Sequence, residues 1–304
     1  MTVPFRKPEF AHQWVDYERT APEETVERLR GATIAVTNKV IFREAELSSL
    51  PPLKCIAITA TGYDNVDLAA CRKHQVLVSN VPGYARQSVA EHVMMLLLAL
   101  RRNLPAYQKA VRDGRWQISP QPTVNDIPVE DLHGATLGLV GYGSLAKELE
   151  RLARAFGMKI LIAERKGVAA LRPGRRLFQD VLRRSDVISL HTPLNPETRN
   201  LIGAEELAVM KRTALLINTA RGGLVDEAAL VAALREGRLG GAGVDVLSQE
   251  PPRQGNPLLD IHLPNLIVTP HVAWTSRQAQ EVLAEEVVKN LEAFAAGQPR
   301  NLVS

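Results

Sequence analysis

Three residues capable of acid–base and anion chemistry follow three short apolar runs in the second half of the chain. Arg221 comes after Leu215–Asn218 (LLIN), Glu250 comes within one turn of Gly243–Val246 (GVDV), and His271 comes just after Leu266–Thr269 (LIVT). An arginine can grip a carboxylate with two parallel hydrogen bonds and polarise a carbonyl beside it. A histidine titrates near neutrality and can pass a proton to that carbonyl oxygen. A glutamate accepting from the other ring nitrogen would fix the tautomer and favour the charged ring. A lone arginine on a turn, glutamate in a proline-rich loop or histidine after a strand is more often structural. Three of them at strand ends need a common edge to act together, and an open parallel sheet supplies one.

The stretch from residue 137 to residue 164 is the element that predicts such a sheet. Leu137 to Val140 reads as a buried strand, and the turn Gly141-Tyr142-Gly143-Ser144-Leu145-Ala146 follows it. A helix then carries apolar residues at Leu145, Leu149, Leu152 and Phe156, and a second apolar run from Met158 to Ala163 ends in Glu164. This is a βαβ unit with a dinucleotide-type glycine turn, in which Gly141 permits the sharp bend and Gly143 lets a pyrophosphate approach the backbone. The helix N-terminus offers free N–H groups to that charge. An acid about 20 residues past the turn is placed to accept hydrogen bonds from ribose hydroxyls, and Glu164 is that acid.

The remaining runs keep a βα rhythm. Strands are predicted at Thr33–Thr37, Leu53–Ala60 and Val76–Asn80, with a weaker one at Gln13–Tyr17, so four short αβ repeats are expected in the first eighty residues. Thr20 is a possible cap for a helix over Glu23 to Arg30. Ser88 to Arg102 is a helix apolar on every side, VMMLLLAL at its centre, which reads as buried between two domains with Met94 and Met95 in the core. Beyond the glycine turn come strands at Val187–His191, Leu215–Asn218, Gly243–Val246 and Leu266–Thr269, a helix at Glu227–Glu236, and a closing amphipathic helix at Ser276–Phe294. His92 reads as packed near the domain boundary, with an active-site role the lesser alternative, and Lys39, after its strand, reads as an exposed lysine or one facing the cleft.

Composition bounds the rest. The 304 residues are 45% hydrophobic and 23% charged, in the range of a globular protein with room for two domains. The net charge of +4 is spread over scattered Lys and Arg with short clusters such as Arg172–Arg176, so a nucleic-acid partner is not expected. Cys55 and Cys71 are the two cysteines, with no disulfide framework and no zinc spacing, so no metal is expected and the compartment is a reducing one. The start MTVPFRKPEF has no apolar leader, and no run reaches the roughly 18 apolar residues of a membrane span. A cytoplasmic location, away from membranes, is the expectation.

Seven long stretches then carry a resemblance. They are ATGYDNVDLAAC (60–71), NVPGYARQSVAEH (80–92), LGLVGYGSLA, SLHTPLNPETRNLI (189–202), LLINTARGGLVDEAAL (215–230), GAGVDVLSQEPP (241–252) and LPNLIVTPHVAW (263–274). Together they resemble the D-isomer-specific 2-hydroxyacid dehydrogenase family, and the HVAW ending and GRWQISP segment are most similar to its glycerate dehydrogenase (hydroxypyruvate/glyoxylate reductase) branch. The resemblance implies an α/β fold of two doubly wound parallel-sheet domains. One is a discontinuous flavodoxin-like substrate domain (residues 1–98 and 275–304), the other a Rossmann NAD-binding domain (residues 99–274). It implies Arg221, Glu250 and His271 as the catalytic set. The backbone amides of Thr61 and Gly62 would hold the substrate carboxylate together with Arg221. Gly141, Gly143, Ser144, Leu145, Glu164, His191, Pro193, Thr198, Thr219, Ala220, Asp245 and Ala273 would be cofactor contacts. The implied partners are a small 2-oxo acid and a second copy of the chain in a homodimer.

The expected activity is hydride exchange between NAD(H) and a small 2-oxo or 2-hydroxy acid, with hydroxypyruvate or glyoxylate reduced to D-glycerate or glycolate. Arg165 and Lys166 follow Glu164 and leave NADP open, although a carboxylate at 164 opposes a 2′-phosphate. Family members open with an apolar strand inside the first sheet, which this start lacks, so a smaller first sheet is an alternative to a mis-assigned start. Formate or phosphite oxidation is a near alternative, against which Glu250 stands where formate dehydrogenases carry Gln. An NAD-sensing, co-repressor-like binding protein is the alternative from another class.

Overall fold

The structure, a computed structural model, describes residues 2–168 and 170–303. In chain order the elements are α1 (Thr25–Arg28), β1 (Ile34–Thr37), α2 (Glu44–Ser48), β2 (Cys55–Ile58), α3 (Leu68–Lys73), β3 (Leu77–Ser79), α4 (Arg86–Arg101) and α5 (Leu104–Arg112). They continue with β4 (Thr136–Val140), α6 (Ser144–Ala155), β5 (Lys159–Ala163), β6 (Arg175–Arg176), α7 (Phe178–Arg184), β7 (Val187–Leu190), α8 (Ala204–Val209), β8 (Leu215–Asn218), α9 (Glu227–Arg235), β9 (Gly241–Val244), β10 (Leu266–Val268) and α10 (Arg277–Ala295). The chain divides into two compact units. One takes the chain up to Ala85 and again from Thr275, and the other runs from Arg86 to Trp274. The sequence reading put that boundary at residue 98, inside α4. The whole of α4 lies in the second unit, because its apolar side packs on α6, β8 and β9 there.

In the first unit, β1, β2 and β3 form a parallel sheet in that order, with Ile34 opposite Cys55 and Cys55 opposite Leu77. Every residue of the central β2 is buried, as a strand covered on both faces requires. Among the described residues, three strands stand where four repeats were expected. Residues 13–17 make no ladder, and Val15 is 70% exposed. Their charged and polar neighbours bond locally instead, Trp14 Nε1 donating to Asp16 Oδ1 at 2.8 Å and the Arg28 guanidinium lying 4.5 Å over the Tyr17 ring. The segment before them follows α10, with Arg6 forked onto Glu292 and bonded to Glu285. Thr20 does not cap the helix but accepts from Arg28. Amides brace the strand ends: Asn38 donates to the Thr59 carbonyl, Asn80 to the Thr61 carbonyl, and the buried Asn290 of α10 to the Asn80 carbonyl.

In the second unit, among the described residues, seven parallel strands take the order β10-β9-β8-β7-β4-β5-β6. The chain winds outward one way from β4 through β5 and β6, then returns to lay β7 on the other side of β4. That reversal is the topological switch point of a doubly wound sheet, and the crevice outside the strand ends there is where such sheets bind ligands. Helix α4 buries Val89, Ala90, Val93, Met94, Leu96, Leu97 and Leu100. Met95 corrects the sequence reading: it is 48% exposed, because α4 buries one broad face rather than its full circumference. Among the described residues no helix is long and apolar enough to cross a membrane.

Candidate active site

All strands of the second unit are parallel, so the residues that follow them share one edge. Gly141 leaves β4, Glu164 leaves β5, His191 leaves β7, Thr219 to Arg221 leave β8, Asp245 leaves β9 and His271 leaves β10.

The glycine turn shows why each glycine stands where it does. Gly141 has φ +88°, and a Cβ there would sit 2.6 Å from the His191 carbonyl, so a side chain is excluded twice over. A Cβ at Gly143 would meet nothing within 4 Å, which leaves open space over the start of α6. Gly143 is the N-cap of α6 and carries no capping side chain, so the twelve-residue helix points uncapped amides and its positive dipole end into that space. Ala146 is fully buried in the core, Ser144 is exposed and Leu145 half-buried. His191 Nε2 lies 2.9 Å from Ser189 Oγ, and burial pushes its imidazole down to about 4. Pro193 and Thr198 close the next loop, Thr198 Oγ1 donating to the Pro193 carbonyl at 2.7 Å.

On the other side of the switch point, the carboxylate of Glu250 bridges two groups. Oε1 accepts from the Leu247 amide at 2.8 Å, and Oε2 lies 2.5 Å from His271 Nδ1. Both side chains are 27% exposed, and the contact through Nδ1 leaves Nε2 as the ring's other polar site. His271 itself sits at φ +55°, a left-handed conformation held by its amide donating to the carbonyls of Asp245 and Thr269. Arg221 is extended at φ −148°, with Nη1 donating to the Ala220 carbonyl at 2.7 Å. The turn that carries it is tied down by buried Asn218, whose Nδ2 donates to the Arg221 carbonyl and whose Oδ1 accepts from the Ala220 amide. Gly222 presses that turn onto the Glu250 loop, since a Cβ on it would fall 1.9 Å from the Leu247 carbonyl carbon.

Further residues hold this arrangement, of which the sequence singled out Asp245 and His92 but not Glu227 or Ser88. Glu227, first in α9, accepts from Ser248 N, Ser248 Oγ and Asn256 Nδ2, fixing the loop that leads to Glu250. Asp245 is 1% exposed, and its carboxylate accepts from Thr269 Oγ1 and from the amides of Val272 and Ala273. It therefore shapes the His271 loop from beneath. His92 of α4 reaches the same knot, Nε2 lying 3.0 Å from Thr269 Oγ1 and 3.5 Å from Asp245 Oδ1. Burial lowers the His92 imidazole against the opposing pull of Asp245. Ser88, one turn earlier, donates to the Ala273 carbonyl at 2.6 Å. No local spacing signals these partners, because they lie up to 185 positions apart.

Glu164 is buried at 4% exposure, and its carboxylate is fully occupied. Oε1 accepts from the Arg165 amide and from Arg172 Nη2, and Oε2 accepts from Arg172 Nε at 2.8 Å and from the Arg172 amide at 3.3 Å. These bonds hold its pKa well below the usual carboxylate range, the Arg172 guanidinium foremost. Thr61 and Gly62 follow β2 in the first unit, where Thr61 Oγ1 donates to the Val81 carbonyl at 2.8 Å.

The residues present fit a dinucleotide. The uncapped helix start and the open space at Gly143 suit a pyrophosphate, and Thr219 Oγ1 after β8 is buried without a hydrogen-bond partner among the described residues. Comparison with known proteins agrees. A profile of the D-isomer-specific 2-hydroxyacid dehydrogenase NAD-binding domain matches residues 94–273. The chain is 52% identical to a glycerate dehydrogenase of Methylorubrum extorquens over 298 residues, 97% of this chain and 93% of that one. An acyclic imino acid reductase solved with NADPH and D-Arg superposes with a TM-score of 0.84 at 31% identity, over 98% of each chain. A D-lactate dehydrogenase from Aquifex aeolicus, solved with NAD and lactic acid, gives 0.81 at 32% identity, over 91% of this chain and 88% of that one. A glycine turn at the switch point of a doubly wound sheet, three polar groups along one strand edge and relatives of this kind lead to one conclusion: the chain belongs to the D-isomer-specific 2-hydroxyacid dehydrogenase family, with an NAD-binding domain as its second unit.

Proposed function

We propose that this chain reduces a small 2-oxo acid, hydroxypyruvate or glyoxylate first, using NADH, and gives the D-hydroxy acid where the product is chiral. The observation that carries the reading is the contact of 2.5 Å between His271 Nδ1 and Glu250 Oε2, on a loop braced against the Arg221 turn. The similarity to a glycerate dehydrogenase along almost the whole chain supports the choice of acid.

In this reading Arg221 grips the substrate carboxylate and polarises its 2-oxo group. His271, with Nδ1 held by Glu250, gives a proton from Nε2 to the oxygen of that group. Glu250 fixes the ring's orientation and balances its charge. NADH, when bound, supplies the hydride. Gly141, Gly143, Ser144 and Leu145 hold its pyrophosphate, Thr219 offers its hydroxyl, and His191, Pro193, Thr198, Ala220 and Ala273 line the same edge. Asp245 serves the cofactor through the loop it shapes. We assign the substrate role to the first unit, with Thr61 and Gly62 at the end of its central strand, and take the working form to be a cytoplasmic homodimer. Free, buried Cys55 and Cys71 support a reducing compartment.

The test is oxidation of NADH with hydroxypyruvate, glyoxylate, pyruvate and phenylpyruvate, with chiral analysis of the glycerate formed and light scattering for the oligomer. Turnover fastest with hydroxypyruvate or glyoxylate and D-glycerate as product is the expected result. NADH binding without turnover of any acid would favour a sensor over an enzyme.

A further inference from the structure

The acid that ends β5 cannot serve a ribose as it stands. A carboxylate offers about four lone-pair sites, and all four of Glu164's meet donors: the Arg165 amide, the Arg172 amide, and Nε and Nη2 of Arg172. Arg175 adds a further cation, with Nε 3.9 Å from Oε2. A ribose hydroxyl could bond Glu164 only by displacing a bidentate, charge-assisted pair, which is stronger than a neutral hydrogen bond.

What this corner presents outward is therefore a cation. The Glu164 side chain is 3% exposed beneath Arg172, whose own side chain is 52% exposed. Arg165 is exposed beside it. Lys166, the other cation that the sequence offers here, is engaged elsewhere: Nζ lies 2.8 Å from Oε1 of the buried Glu206. One buried carboxylate thus stands against Arg165, Arg172 and Arg175, and the sign of the site is reversed from that implied by Glu164 alone.

We propose that Arg172 sets the cofactor selectivity of this chain: by capping Glu164 it turns the acidic ribose site into a guanidinium-faced one that accepts a 2′-phosphate, so that NADPH binds alongside NADH. The proposal rests on the dinucleotide reading of the glycine turn. An arginine fork suits a phosphate for the same geometric reason that it suits Glu164. The 2′-phosphate competes for the exposed N–H groups of Arg172 without having to uncover the acid. For NADH, the guanidinium and the covered Glu164 supply less, because the ribose hydroxyls lose their acceptor.

The experiment is direct titration of NADH and NADPH by their fluorescence, and of 2′,5′-ADP and AMP by calorimetry, on the wild type, Arg172→Gln and Arg172→Lys. The expected wild-type dissociation constants for NADPH and NADH lie within about threefold of each other. Arg172→Gln should weaken NADPH and 2′,5′-ADP by about tenfold and tighten NADH a few-fold by uncovering Glu164. Arg172→Lys, which keeps a point charge without the fork, should fall between. Tight NADH binding with NADPH weaker by 30-fold or more in the wild type would overturn the assignment, and so would equal weakening of both cofactors in Arg172→Gln. Failure of the wild type to bind either cofactor would contradict the dinucleotide reading itself.

Discussion

Two ends of one sheet treat carboxylates in opposite ways. On the β9–β10 side, Asp245 is sealed from solvent under backbone amides, while Glu250 keeps one oxygen on an amide and offers the other to His271. On the β5 side, Glu164 takes two of its bonds from amides and the other two from the side chain of Arg172, which is itself half exposed. A carboxylate bound by its own backbone is fixed when the chain folds. One covered by a long, half-exposed side chain leaves the outward N–H groups of that side chain to meet a ligand. In the proposed reading, the first arrangement serves proton transfer, and the second makes a site whose charge depends on one guanidinium.

Arg221→Lys keeps the charge and loses the planar fork, and kcat/KM for the preferred 2-oxo acid should fall on the order of 10- to 100-fold, the worth of a charge-assisted hydrogen bond. Steady-state kinetics with a neutral aldehyde analogue should show a much smaller loss, since no carboxylate is there to be gripped.

The contrast between a sealed acid and one covered by a side chain predicts different effects on folding. Asp245→Asn puts an amide donor among the donors of Thr269, Val272 and Ala273, and should cost about 1–3 kcal/mol for the buried groups left unsatisfied. Urea denaturation should show it. Arg172→Gln takes two guanidinium bonds from the buried Glu164 and should also lower the unfolding midpoint, but by less, because loss of the half-exposed side chain opens the acid to water while its two amide bonds remain. Equal losses would mean that the β5 corner is as rigid as the Asp245 knot.

A smaller effect is expected at His191. Its imidazole, pushed down by burial to about 4, binds a proton less readily folded than unfolded, where histidine titrates near 6.5. The unfolded chain then binds more protons between those values, so stability falls as the pH drops below the unfolded value. Acidification from about pH 7 to about pH 5.5 should cost about 1 kcal/mol from this residue, and His191→Asn should flatten the slope by that amount.

Much of the second unit was legible in the sequence because its signals are local. A strand, a glycine turn and a helix occupy adjacent positions, and Arg221, Glu250 and His271 each follow a recognisable apolar run. The parts that were not legible depend on distance or on competition. Nothing near His92 in the sequence points to Thr269, and nothing near Glu227 points to Asn256. Glu164 was visible as an acid, but its partner Arg172 looked like one of several basic residues, because sequence alone does not say which cation folds back onto which acid. Residues 13–17 alternate enough to suggest a strand, yet no neighbouring strand accepts their hydrogen bonds, and a strand exists only through its partner.

The claim at the centre is that His271, oriented by Glu250, delivers the proton. The direct measurement is steady-state reduction of hydroxypyruvate by the wild type and by His271→Ala, with NADH binding measured alongside on both. The prediction is a fall in kcat of about 10²–10⁴-fold, the usual contribution of a positioned general acid, with the NADH dissociation constant moved far less. If His271→Ala binds NADH normally and turns hydroxypyruvate over at the wild-type rate, another group supplies the proton and this account of the site is wrong.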